Sequence, residues 1–149
     1  MKKRILSIVL GLLTGFLAIT AGESFSSKVF PLPEGLNMHD KAQMITAVNN
    51  MPLNAFLLLL SIYAIAALSA GVVSTMVAQT TGSKIKNPDI EPTADNDKTW
   101  RPAMICCLVL TLAGIIEASS LAMPTWFILA NVIVYVPSGY LGYLVVRRR

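Results

Sequence analysis

Residues 103–146 read AMICCLVLTLAGIIEASSLAMPTWFILANVIVYVPSGYLGYLVV, and Glu117 is the one charged side chain among them. Met123-Pro124 divides the stretch into two apolar runs, 103–122 and 125–146. A hydrocarbon core about 30 Å thick takes about 20 residues of helix to cross. Each run is long enough, and the two-residue break leaves room only for a turn between antiparallel neighbours. Outward from this pair, residues 5–21 and 52–78 are also free of charge. Four such runs in 149 residues, with 54% apolar and 13% charged side chains and a mean hydropathy of +0.63, exclude an ordinary water-soluble domain. The expected fold class is all-α, an integral membrane four-helix bundle forming one domain over 1–149.

The basic residues give the direction. Ten of the twelve Lys and Arg fall in the N-terminus, the 79–102 connection and the C-terminus, leaving Lys28 and Lys41 on the other side. Basic residues stay on the cytoplasmic face, so both termini are expected inside, in a bacterial inner (plasma) membrane. The net charge of +4 is thereby an orientation signal and implies no nucleic-acid partner. The lipid bilayer is the implied partner, with anionic headgroups a secondary attraction. Lys2, Lys3 and Arg4 before an apolar run also fit a secretory signal. The length of that run and the Gly11/Gly15 pair favour a retained helix.

The outer connection, 22–51, begins with Phe30-Pro31-Leu32-Pro33-Glu34-Gly35, which two prolines hold extended. A short amphipathic helix is expected over 37–49, capped by Asn37, with Met38, Ala42, Ile45 and Val48 on one face. The inner connection, 79–102, carries mixed charge, Pro88 and Pro92 and no apolar period, and reads as a solvated linker ending at Trp100. Pro137 lies inside the fourth span and predicts a kink. Trp126 and Phe127 mark the outer interface, Tyr140 and Tyr143 the inner one.

Glu117 carries the functional question. An ionised carboxylate facing lipid costs several kcal/mol, so such a residue is a candidate site with a named partner. Glu117 and Asn131 both fall roughly 10 Å below the outer ends of adjacent helices at 1.5 Å per residue. The Asn131 amide is the expected hydrogen-bond partner. Ser119, Ser120, Ser61 and Tyr63 would complete a polar pocket, and Glu23, at the end of the first helix, would face it. The alternatives are a proton or cation site and a protonated interhelical staple. Adjacent Cys106 and Cys107 read as packing, because redox pairs are usually spaced C-x-x-C. A lone His39 is a poor metal ligand. No metal or cofactor site and no catalytic motif are expected.

Small residues recur at helix-contact spacing: Gly11 and Gly15; Ala67, Gly71 and Thr75; Gly114 and Ala118; Ser138 and Gly142. They allow close helix approach, within the chain or against another membrane protein. The pattern Phe30-Pro31-x-Pro33-x-Gly35, Met51-Pro52-x-x-Ala55-Phe56 and Met123-Pro124-x-Trp126-Phe127 resembles a class of uncharacterised small four-span bacterial inner-membrane proteins. That resemblance implies four spans and no activity. Members of that class tend to carry Asn at the position of Glu117, so no shared carboxylate chemistry is implied. The apolar first span sets the chain apart from small multidrug exporters, which use a carboxylate there. The expected function is non-enzymatic: an accessory or scaffold subunit packing against other membrane helices. The alternative is a small ion- or proton-translocating transporter or homo-oligomer using Glu117.

Overall fold

The computed structural model describes residues 2–31, 40–82, 100–121 and 123–147. Among these the chain forms five helices and no strand: α1 Lys2–Val29, α2 Lys41–Asn49, α3 Leu53–Gly82, α4 Trp100–Ser120 and α5 Thr125–Arg147. Four of them, α1, α3, α4 and α5, are long and apolar enough to cross a membrane. The segments 32–39 and 83–99, with Asn37, Met38, His39 and most of the charged linker, lie outside the described residues.

The first span is longer than the 5–21 read from the sequence. Gly22, Ser24, Ser26 and Ser27 look like a helix end, yet α1 runs on to Val29. The hydroxyls of Thr20 and Ser24 donate back to the carbonyls of Phe16 and Thr20 at 2.9 and 2.8 Å, so these residues settle within a helix. The stop comes where Pro31 removes a backbone donor and disfavours helix in Phe30. This moves Glu23 from a helix end to a position inside the first span, and the expected carboxylate-free first helix is overturned.

α2 starts later than its expected Asn37 cap. Asp40 is the cap, accepting from the backbone N–H groups of Ala42 and Gln43 at 3.0 and 3.4 Å. Its buried face is Met44, Ala47 and Val48, while Ala42 and Ile45 are exposed. The expected face is rotated because Met44, Ala47, Val48 and Met51 form one stripe that continues into buried Ala55 and Phe56 of α3. Asp40→Ala is expected to cost about 1 kcal/mol of helix stability. Amide hydrogen exchange at Ala42 and Gln43 should speed up, and Asp40→Asn should restore protection.

The four long helices surround one core in the order α1, α3, α5, α4, with α1 and α5 at opposite corners and not in contact. Gly11 faces Ser74 of α3 and Cys106 of α4, while Gly15 faces Ala70 and Leu110. Residue numbers therefore fall along α3 and rise along α4 as α1 advances. α3 and α5 are parallel neighbours: Phe56 meets Phe127, Tyr63 meets Tyr135, and Gly71 meets Gly139. Both termini lie at one end of the bundle; the other is called distal below.

What is inside and outside is reversed from a soluble protein. Ser7, Ser74, Thr75 and Ala66, Ala67 and Ala70 are fully buried, while Ile65, Ile116 and Ile133 are 65, 67 and 70% exposed. An apolar belt of this kind demands an apolar surrounding. The chain is a multi-pass helical bundle suited to a membrane.

The small residues serve that packing. A Cβ on Gly71 or Gly142 would meet the backbone of the neighbouring helix, and one on Gly139 would meet Cys107 Sγ. Ala67, Thr75, Gly114 and Ala118 are buried as expected. In α5 the contact residue beside Gly142 is Gly139, whereas Ser138 is half-buried. α5 continues through Pro137, whose ring is on the exposed side. Cys106 and Cys107 are buried and unbridged, and the Cys106 thiol donates to the Ile8 carbonyl at 3.5 Å.

Candidate intramembrane carboxyl site

Each helix of the bundle brings one side chain or more to a polar cluster in the distal half. Glu23 comes from α1, Tyr63 from α3, Glu117 from α4, and Asn131 and Tyr135 from α5. The Tyr63 hydroxyl donates to Glu23 Oε1 at 3.1 Å. The Glu23 and Glu117 carboxyl groups, on neighbouring helices, are close enough to interact electrostatically. α1 and α4 run in the same direction, so the pair sits at matched depth on parallel neighbours. Glu117 is exposed on the bundle surface and Glu23 is half-buried, so the pair is open on one side.

Two carboxyl groups that approach each other repel when both are ionised. A proton or a small cation between them would relieve that repulsion. The Tyr63 hydroxyl then supplies a donor to Glu23 from the protein side, and Tyr63 is itself held by the Tyr135 ring, stacked at 5.7 Å with 20° between planes. Phe127 closes the same seam, 6.4 Å from Tyr63. An aromatic column along α3 and α5 thus runs behind the Tyr63–Glu23 hydrogen bond.

Asn131 is the anomaly. It is 1% exposed, and neither its amide nitrogen nor its oxygen has a hydrogen-bond partner. A buried group in that condition costs about 1–3 kcal/mol. The amide lies beside Gly114, where an added Cβ would fall 3.2 Å from Asn131 Nδ2 and 3.6 Å from the Tyr135 hydroxyl. Gly114 lets both groups approach α4, one turn before Glu117 on the same helix face.

The expected site residues fall into two groups. Glu23, Tyr63 and Glu117 do come together, and Glu117 is not the lone carboxylate within the spans. Its partner is Glu23, because parallel α1 and α4 place the two side by side; Asn131 is not hydrogen-bonded to it. Ser61 and Ser120 do not join. Both are exposed and donate to their own helix, at the carbonyls of Leu57 and Ile116, each at 2.8 Å. Ser119 does the same toward Ile115 at 2.7 Å. Tyr135 was missed; its signal was the four-residue spacing Phe127, Asn131, Tyr135, which marks one buried face of α5. Among the described residues no group of three or more His, Cys, Asp and Glu side chains is placed to hold a metal ion. No protein family, curated protein or solved structure matches the chain, so the functional reading rests on this site.

Proposed function

We propose that this chain is a non-enzymatic multi-pass membrane protein that takes up and releases a proton at the Glu23–Glu117 pair, as the working part of a small ion-translocating unit. The observation that supports this reading is the meeting of two carboxyl groups from separate spans, with a tyrosine donor behind one and an open side at the other. A static staple needs only one acid and one neutral acceptor. A pair that shares one proton changes its charge by one when that proton leaves, which is the elementary step of translocation.

A second reading keeps the accessory or scaffold role. It is favoured by the exposure of Glu117, a polar group at the bundle surface that a helix from another subunit, or from a second copy, would cover. It gains less from the small residues than the sequence suggested, because Gly11, Gly15, Gly71, Gly114 and Gly142 are occupied by contacts within the chain. In either case we read the setting as a bacterial inner membrane with cytoplasmic termini, from the distribution of Lys and Arg.

Reconstitution separates the two. In vesicles carrying an internal pH dye, the wild-type chain should relax an imposed proton gradient, and Glu23→Gln or Glu117→Gln should bring the rate to that of empty vesicles. Unchanged flux in both variants would overturn the proton reading. Native mass spectrometry after mild extraction, showing foreign subunits in fixed ratio and no intrinsic flux, would establish the accessory role instead.

A further inference from the structure

We propose that the carboxyl pair exchanges its shared proton for one small monovalent metal cation, with Asn131 and Tyr135 as oxygen donors reserved for that cation. The proposal rests on the proton-binding reading and names the second ion.

The argument starts from the unpartnered amide. Asn131 is buried and has no hydrogen bond, and its amide nitrogen, like the Tyr135 hydroxyl, comes close to Gly114, which lies one helical turn before Glu117. A structural asparagine would be expected to find a partner among four helices. One that waits for a ligand need not. The groups gathered at this level of the bundle are Glu23 from α1, Tyr63 from α3, Glu117 from α4 and Tyr135 from α5, with the Asn131 amide reaching Gly114 of α4. Their donor atoms are all oxygens apart from the amide nitrogen. Oxygen sets of this kind suit hard cations.

Charge selects among them. With one proton shared, the pair carries a single negative charge; a monovalent cation taking the proton's place leaves that charge unchanged. The exchange is balanced: the cation enters, the proton leaves to water, and both carboxylates become ligands. A divalent ion would add a charge and ordinarily takes six or more oxygens with more carboxylates than the two that meet here. Size selects as well. Tyr63, Tyr135 and Asn131 are almost fully buried, and at Gly114 an added methyl group would already be tight. The burial of these side chains and the tightness at Gly114 favour a small ion. Entry is past Glu117, the exposed member.

The test uses the full chain in detergent. Thermal unfolding is followed in NaCl, LiCl, KCl and choline chloride at equal ionic strength, between pH 6 and 9. The expected result is a saturable rise in Tm with Na+ or another alkali ion over choline. Its half-saturating concentration should rise by about tenfold per pH unit toward acid pH, as required when one cation displaces one proton. Asn131→Ala should raise that concentration on the order of tenfold, as loss of a supporting ligand does, and Ser61→Ala and Ser120→Ala should leave it unchanged. Equal Tm in all four salts would overturn the proposal, whatever Asn131→Ala does to folding. Proton flux that persists alongside that result would leave the proton reading standing. Cation stabilisation retained in both Glu23→Gln and Glu117→Gln would also overturn the proposal, by placing the ion elsewhere.

Discussion

Gly142→Leu should abolish recovery of a folded monomer in detergent. α3 and α5 are held together along Gly71, Gly139 and Gly142, and at this seam backbone meets backbone. A Cβ on Gly142 would press on the Leu68 carbonyl oxygen and fall 2.9 Å from the Val72 nitrogen. Neither atom can yield without moving a turn of α3. The cost therefore exceeds the roughly 1–3 kcal/mol of ordinary overpacking, which side chains absorb. Within a membrane no hydrophobic force drives helices back together, so lost close packing is lost association. Gly22→Ala provides the contrast. Its Cβ would meet the side chain of Ile62, which can change rotamer, so a small fall in Tm is expected. Size-exclusion profiles and melting curves of the two variants read the difference. A Gly142→Leu protein that melts within a few degrees of wild type would show that the α3–α5 seam is not held this way.

Glu117→Lys should preserve the fold and stop proton-linked flux. The new ammonium would stand beside Glu23 and replace an exchangeable positive charge with a covalently fixed one. Ion pairing to Glu23 and the Tyr63 hydrogen bond would satisfy the half-buried carboxylate. The position is exposed, so the long lysine stem can lie along the helix surface while its head group reaches a polar environment. Melting behaviour close to wild type together with flux at the level of empty vesicles is the expected outcome. Glu117→Leu removes the same carboxyl without supplying a charge, and should be less stable than Glu117→Lys because Glu23 is left with Tyr63 as its partner. Flux at the wild-type rate in Glu117→Lys would refute the shared-proton step.

These expectations show which features could be read from residues alone. The four spans were legible because apolar runs of this length have few alternatives, and the distal Met123-Pro124 turn because it is so short. The Glu23–Glu117 pair was only half legible. Gly22 with three nearby serines imitates a helix end, yet the Ser24 and Ser27 hydroxyls bond within their own helix, which runs on to Val29. A helix end is a balance of about a kcal/mol per residue, too fine for composition to decide. Ser61 and Ser120 were misplaced for the same reason, since a hydroxyl within a span satisfies itself by bonding backward and needs no pocket. Helix neighbours were the other gap. The pairing of α1 with α4, and of α3 with α5, depends on which faces the glycines present, and small residues occur on more faces than one. Asn131 stood out as polar, but its lack of a partner is a property of the folded bundle.

The order of the helices around the core has a consequence for how the protein is made. α1 with α3, and α4 with α5, are each antiparallel neighbours, so the chain divides between Gly82 and Trp100 into two hairpins that a translocation machine can insert one after the other. Each hairpin brings one carboxyl group, Glu23 in the first and Glu117 in the second. The pair does not exist until the hairpins dock, through the parallel contacts of α1 with α4 and α3 with α5. Neither half alone holds a paired acid, so the proposed proton step would require the docked bundle.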